Sequence, residues 1–231
     1  MNFEERKFLN GYDPADYPSI AVAADAVVFG ISKSKAENYR KTGKQSLNVL
    51  LVRRREHPFK DMLALPGGFV RQSETIDETA ERVLREKTGL KEIYFEQLYT
   101  FGGIDRDPRM RVISCAHIAL IDAEKARLGD GAEWVSLGEI KSSELAFDHA
   151  AIITEALERL RGKIEYTDIV FHMMPEKFTI SELQEIYETV LEKKLLPAAF
   201  RRTIAEKITE TEEFTQNAGH RPSRLYTWNK K

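Results

Sequence analysis

This sequence predicts an α+β protein in two parts: helices packed on a mixed sheet, then a winged helix-turn-helix. Two observations lead there. Up to about residue 162, strand-like and helix-like segments mix without the regular alternation of a doubly wound sheet. From residue 163, three helical candidates follow in succession, and two short strand-like runs close the chain around an "AGHRP" turn. The length of 231 residues is ample for one domain of about 140 residues with a smaller one beside it.

The elements follow in order. Residues 1–18 are polar and contain "GYDPADYP", so they read as a loop or arm. "SIAVAADAVVFGI" is apolar and β-branched, a buried strand; "LNVLLVRRR" is the returning strand, and the polar residues 32–46 connect the two. "EHPFKDMLALPGGFV" reads as loop with a short strand. In "TIDETAERVLREKTG", Ile76, Ala80, Val83, Leu84 and Thr88 recur at spacings of three and four, which predicts a helix ended by Gly89. "IYFEQLYTFGG" and "RVISCAHIAL" are strands around the loop "IDRDPRM", and "AEWVSLGEI" is a strand and turn. "DHAAIITEALERLRGKI" is an amphipathic helix that closes the first part. "IEYTDIVFHMM", "TISELQEIYETVL" and "PAAFRRTIAEKI" are the three later helical candidates. The boundaries are set at 1–17 for the arm, 18–162 for the first domain and 163–231 for the second.

Composition narrows the class. Hydrophobic residues make up 42% and charged residues 31%, as in ordinary soluble proteins. No run of 18 or more apolar residues occurs, so no membrane span is expected. "MNFEERKFLNGYDP" lacks a basic start followed by an apolar run; no secretory signal is expected and the location is taken as cytoplasmic. Cys115 has no second cysteine to pair with and reads as a buried strand residue. The net charge of −2 says nothing of nucleic acid. Its distribution is more informative: residues 194–231 carry eight Lys/Arg against four Glu, a basic tail on an acidic body.

The stretch "GGFVRQSETIDETAERVLREKTGL", residues 67–90, carries the chemistry. It resembles the box of the Nudix family, usually written G-x5-E-x7-R-E-U-x-E-E-x-G-U with U aliphatic. Gly68, Glu74, Arg82, Leu84, Glu86, Gly89 and Leu90 match, while Val83 and Lys87 stand where the box has glutamates. The resemblance implies a Nudix-type α/β/α sandwich. In an intact box the acids at the positions of 83, 86 and 87 clamp divalent cations that neutralise a pyrophosphate and activate water. Hard Mg²⁺ needs oxygen ligands. Val83 offers none, and Lys87 repels a cation at a cost of about 4 kcal/mol for a contact near ~4 Å at an effective dielectric near 20. Tight binding of Mg²⁺ at the usual place is therefore not expected, and no cofactor is required; Glu86 is a metal ligand only if the protein is a hydrolase. Lys87 can pair instead with a ligand phosphate, with Glu86 or with solvent. Glu86 reads as an ion-pair partner of Arg82, and Glu74 as a structural acid near the helix start.

"TFGGIDRDPRMRVISCAHIAL" resembles the strand–loop–strand after the box in Nudix proteins that handle ADP-ribose-like ligands. Asp105, Arg106, Asp107, Arg109 and Arg111 put guanidinium groups and acids in one loop. Arginine can fork onto a phosphate, or the loop can satisfy itself. Arg53 and Arg54, at a strand end, are two further candidates for phosphate or for plain surface charge.

"FTISELQEIYE", "FRRTI" and "RPSRLYTW" resemble the C-terminal winged helix of Nudix-related transcriptional regulators, both the NrtR type that answers to ADP-ribose-like metabolites and the sugar-responsive AraR type. Ile180, Leu183, Ile186, Tyr187 and Val190 form one apolar stripe, and Phe200, Ile204 and Ile208 another. Thr179 with Glu182 reads as a capping box. The basic set Arg201, Arg202, Lys207, His220, Arg221 and Arg224 suits a DNA groove and its phosphates. The expected function is a transcriptional regulator that binds operator DNA as a homodimer through the winged helix and senses an ADP-ribose-like nucleotide or a sugar through the degenerate Nudix domain. The alternative is a Nudix hydrolase of a nucleoside diphosphate derivative with a divergent metal site.

Overall fold

A computed structural model describes residues 2–13, 15, 18–33, 45–91, 93–215 and 222–230. The elements are α1 (Phe3–Gly11), β1 (Ala21–Lys33), β2 (Gln45–Arg53), β3 (Leu63–Ala64), β4 (Gly67–Phe69), α2 (Ile76–Thr88), β5 (Tyr94–Phe101), β6 (Val112–Ile121), β7 (Ala132–Ser136), α3 (His149–Ile164), a 3₁₀ turn at Ile169–Met173, α4 (Ile180–Leu191), α5 (Pro197–Ile204), β8 (Ile208–Phe214) and β9 (Arg224–Trp228).

β1 is the spine of the sheet. Its small and β-branched residues let neighbours approach from both edges. It runs parallel to β6, from Ala21 opposite Val112 to Gly30 opposite Ile121, and antiparallel to β2. The main path is β3-β2-β1-β6-β5, with β4 paired to β1 and β7 to β2. Alternation along β1 sorts its side chains between two layers. Val27 and Phe29 share a buried cluster with Val49, Leu51 and Ile118 of the sheet and with Ile152, Ala156 and Leu160 of α3. Ala26 and Val28 join Leu50, Ala119 and Leu84 of α2 on the opposite face. The first part is thus an α/β/α sandwich.

α2 begins where the sequence places it. Thr75 accepts from the backbone N–H of Glu78, whose carboxylate accepts from the N–H of Thr75; such a cap is worth about 1 kcal/mol. Gly89 ends it at φ 69°, a left-handed conformation that costs glycine little.

In the second part, Thr179 and Glu182 form the expected capping box of α4. Pro197 opens α5, where its fixed φ suits a first turn. Tyr187 of α4 and Phe200 of α5 pack edge to face, 5.1 Å between centroids. β8 and β9 form the hairpin, with Ile208 opposite Trp228. The backbones of Phe178 and Tyr226 exchange hydrogen bonds of 3.0 and 2.8 Å, tying the hairpin to the approach to α4.

Three expectations need correction. Residues 3–11 are a helix rather than a loop, started by a capping box between Asn2 and Glu5. The first of the three later helical candidates is only the 3₁₀ turn Ile169–Met173, four of whose five residues are buried. A segment apolar on nearly every side has no solvent face for an amphipathic helix. Ile208 opens β8 rather than continuing α5, which stops at Ile204, so the turn between them carries Lys207.

The two parts share one core. The cluster around Val27 and Phe29 continues through Phe171, Met173, Phe178, Leu183, Val190 and Ile204. Tyr94 of β5 stacks on His172 at 4.2 Å, and Phe171 stacks on Trp228 at 5.4 Å. Arg161 of α3 donates to the carbonyl of Val190 and pairs with Glu192 at 2.6 Å. Among the described residues no helix is long and apolar enough to cross a membrane.

Candidate functional site

The box helix and its loop are locked together by charge. Arg82 forks onto Glu74 with bonds of 2.8 and 2.9 Å, and Thr79 and Arg71 add to the same carboxylate. The Arg82 bond drives the Glu74 pKa from an ordinary 4.5 to about 2. Arg82 also reaches Glu86 at 3.8 Å. Glycine is needed in the loop. A Cβ on Gly67 would lie 2.0 Å from the Asp25 carboxylate, and one on Gly68 would press on Val83 at 3.3 Å.

Val83 is buried beneath that loop, at 2% exposure, and does not reach the rim. Lys87, one turn on, lines the cleft between loop and sheet, and its ammonium has no hydrogen bond or ion pair with a described residue. Among the described residues no group of three or more His, Cys, Asp and Glu side chains is placed to hold a metal ion. The donor set does not fit Mg²⁺: one of the three box positions is buried hydrocarbon, another is a cation, and the third, Glu86, leans toward Arg82.

The cleft has a volume of about 350 Å³ and is walled by β1, the β3–β4 loop, the end of α2 and the loop before β6. Arg106 lines it but is committed. Its side chain is 5% exposed, forked onto Asp148 at 2.7 and 2.9 Å with Asp25 at 3.5 Å. Burial works against its charge, and the fork outweighs that, so its pKa is raised. Asp25 also accepts from Ser114 at 2.6 Å. Arg109 forks onto Asp107 at 3.0 and 2.7 Å, and this bond lowers the Asp107 pKa. The pair makes the self-satisfied turn that the loop allowed, yet Arg109 stays 44% exposed at the cleft. Arg54 bonds only to backbone carbonyls, those of Pro58 at 2.8 Å and Glu56 at 3.4 Å, and lies over the Phe147 ring at 4.8 Å. Burial and then the charge of Arg109 lower its pKa. His149 accepts the Leu65 N–H on Nδ1, and burial lowers its pKa, so it is a neutral ring.

Two candidates fall outside. Arg53 turns to the other side of β2, bonding the Asp61 carbonyl and Glu133 at 2.9 and 3.0 Å. Asp105 is exposed and is not among the residues lining the cleft.

On the second part, Arg201 and Arg202 are exposed on α5 and make no hydrogen bond or ion pair with a described residue. Lys207 is different: it pairs with Asp168 at 2.8 Å and donates to the Thr167 carbonyl, a bracket between the turn after α5 and the entry to the 3₁₀ turn. It is a packing residue rather than part of the free basic face. Arg224 pairs across the hairpin with Glu210 at 2.8 Å and covers the Phe214 ring. His220 and Arg221 lie outside the described residues.

A family model described as "NUDIX domain" matches residues 38–156, and one described as "NrtR DNA-binding winged helix domain" matches residues 170–228. The ADPR responsive transcriptional repressor NtrR of Acinetobacter baylyi is 36% identical over 98% of this chain and 89% of its own length. This chain belongs to the Nudix-related transcriptional regulators of the NrtR type. The NrtR of Shewanella oneidensis, solved with a 27mer DNA, superposes with a TM-score of 0.77 at 32% identity, over 90% of this chain and 93% of that one. Its NUDIX domain, solved with ADP ribose, matches with a TM-score of 0.56 at 32% identity, over 69% of this chain and 99% of that one.

Within this member of the NrtR type, the cleft contains residues that motif reading passed over. Asp25 was visible as the one charge inside an apolar strand, a signal of a buried, partnered carboxylate. Phe69 was hidden behind the glycines it follows. Phe147 and His149 precede and open α3, and only the fold brings them to the box. Phe147 holds φ at 54°, rare for a bulky residue and a local strain beside the cleft.

Proposed function

We propose that this regulator binds operator DNA through α5 and the wing, as a homodimer, and that ADP-ribose or a close relative bound in the cleft controls that binding. One observation carries the reading. A cleft with cations and no metal donor set is joined by a continuous core to a helix presenting two unpartnered arginines. Arg54 and Lys87 suit phosphate, and the Phe69 and Phe147 rings suit a flat base. Arg201 and Arg202 suit a guanine edge or a phosphate. The ADPR responsive Acinetobacter repressor, and the Shewanella NrtR solved with DNA and with ADP ribose, support the same ligand and partner.

A mobility shift with DNA from upstream of the protein's own operon tests this. Binding should appear at low salt and change on adding ADP-ribose, while a neutral pentose leaves it unchanged. A response to the sugar alone would move the chain to a sugar-sensing role. Light scattering on the DNA complex should give two chains per operator; one chain would remove the dimer.

A further inference from the structure

We propose that Lys87, together with Arg54, does the charge-neutralising work that a divalent cation does in a hydrolytic box, so that the cleft holds a diphosphate without metal. The proposal rests on the cleft being the effector site.

Four arginine and lysine side chains line the cleft, and they divide into two kinds. Arg106 and Arg109 are each forked onto a carboxylate, Asp148 and Asp107. The Arg54 side chain bonds only backbone carbonyls, and the Lys87 ammonium has no hydrogen bond or ion pair with a described residue. The buried acids of the wall, Asp25 and Asp107, are bonded to Arg106 and Arg109, and the exposed Glu56 at the mouth makes no side-chain bond to Arg54 or Lys87, which leaves these two cations without a carboxylate bonded to them. They come from separate parts of the chain, Arg54 just after β2 and Lys87 from the last turn of α2. A diphosphate spreads its negative charge over several oxygens, and two cations on separate elements can each take a phosphoryl group. Lys87 is a compact point charge and Arg54 a planar fork, and both are competent phosphate partners.

The same geometry turns a metal away. Val83 is packed under Gly68, Glu86 leans to Arg82, and the fixed charge of Lys87 stands on the rim. Lysine in place of a metal ligand therefore does two things at once. It keeps the attraction for the diphosphate, and it withholds the ion that would activate water against it. A sensor built this way reads its ligand without consuming it.

Calorimetry on the full chain tests this with two probes, ADP-ribose and inorganic pyrophosphate, each in EDTA and in Mg²⁺. Wild type should bind both probes in EDTA, and ADP-ribose, which chelates Mg²⁺ only weakly, with a dissociation constant within about two-fold of that in Mg²⁺. Lys87→Gln should weaken both by about ten-fold or more, as loss of a charge-assisted contact does, and Lys87→Arg should restore most of it. Melting curves check that each variant is folded. Binding by wild type only in Mg²⁺, or unchanged affinity in Lys87→Gln, overturns the proposal. Pyrophosphate binding that follows this pattern while ADP-ribose fails to bind would remove the effector assignment and leave the Lys87 site standing. Failure of both probes in EDTA removes the site.

Discussion

At Glu74 a carboxylate is fixed by an arginine rather than offered to a ligand. Its folded pKa of about 2 lies below the ordinary 4.5, so the bond stabilises the fold fully above that value and fades as pH falls toward the lower one. Glu74→Gln should therefore melt below wild type at neutral pH, and the two curves should converge on acidification below about pH 3. Melting temperatures across pH decide it; a constant offset would mean that the carboxylate's charge is irrelevant. The neighbouring positions make a chemical prediction. With Val83 buried and Lys87 on the rim, Mg²⁺ and ADP-ribose together should give no turnover, and a chromatographic assay finding about 1 s⁻¹ or more would refute it. The box was legible in the sequence because its spacings are local. Which arginines were already spent was not, because Asp148 lies 42 residues from Arg106 and only the fold joins them.

At the level of elements, α5 and the hairpin divide the basic residues by role. Arg202→Ala should weaken operator binding by about 1–3 kcal/mol, and a guanine contact would show as relaxed specificity at one base pair. Lys207→Ala should leave operator affinity unchanged and cost roughly 0.2–1 kcal/mol of stability, since its partners are Asp168 and Thr167. Salt titrations and chemical denaturation of both variants measure the split, and loss of DNA affinity in Lys207→Ala would return that residue to the interface. The elements themselves were largely readable. A capping box marks the start of α4 in the sequence, Gly89 marks the end of α2, and the apolar periodicity gives the faces of both. The same kind of cap stands at Asn2 and Glu5 before α1, but the glycine and two prolines of "GYDPADYP" behind it argue for a loop. The Ile169–Met173 turn was unreadable for a different reason: a short apolar run has no period to betray whether it is helix or a buried bend.

For the whole molecule, the shared core makes cooperativity the expected behaviour. Calorimetric unfolding should show a single transition, and Phe171→Ala should destabilise the entire chain by about 3–5 kcal/mol. Two separable transitions, with only the later one moved by Phe171→Ala, would show that the halves fold independently. The sequence did announce two parts, through the change of texture after residue 163, but it carried no sign that they are fused. Each apolar stripe looks the same whether it faces its own neighbours or another layer.

That fusion limits interchange. A DNA-reading module joined by a flexible tether could be cut off and attached to a different sensor. Here such a graft would carry Phe171, Met173 and Phe178 into water, and would strip the sheet of the cover that Leu183 and Val190 give it. New operator preferences in this architecture are therefore to be sought by repainting the outward side of α5 around Arg201 and Arg202, with the joint beneath left as it stands.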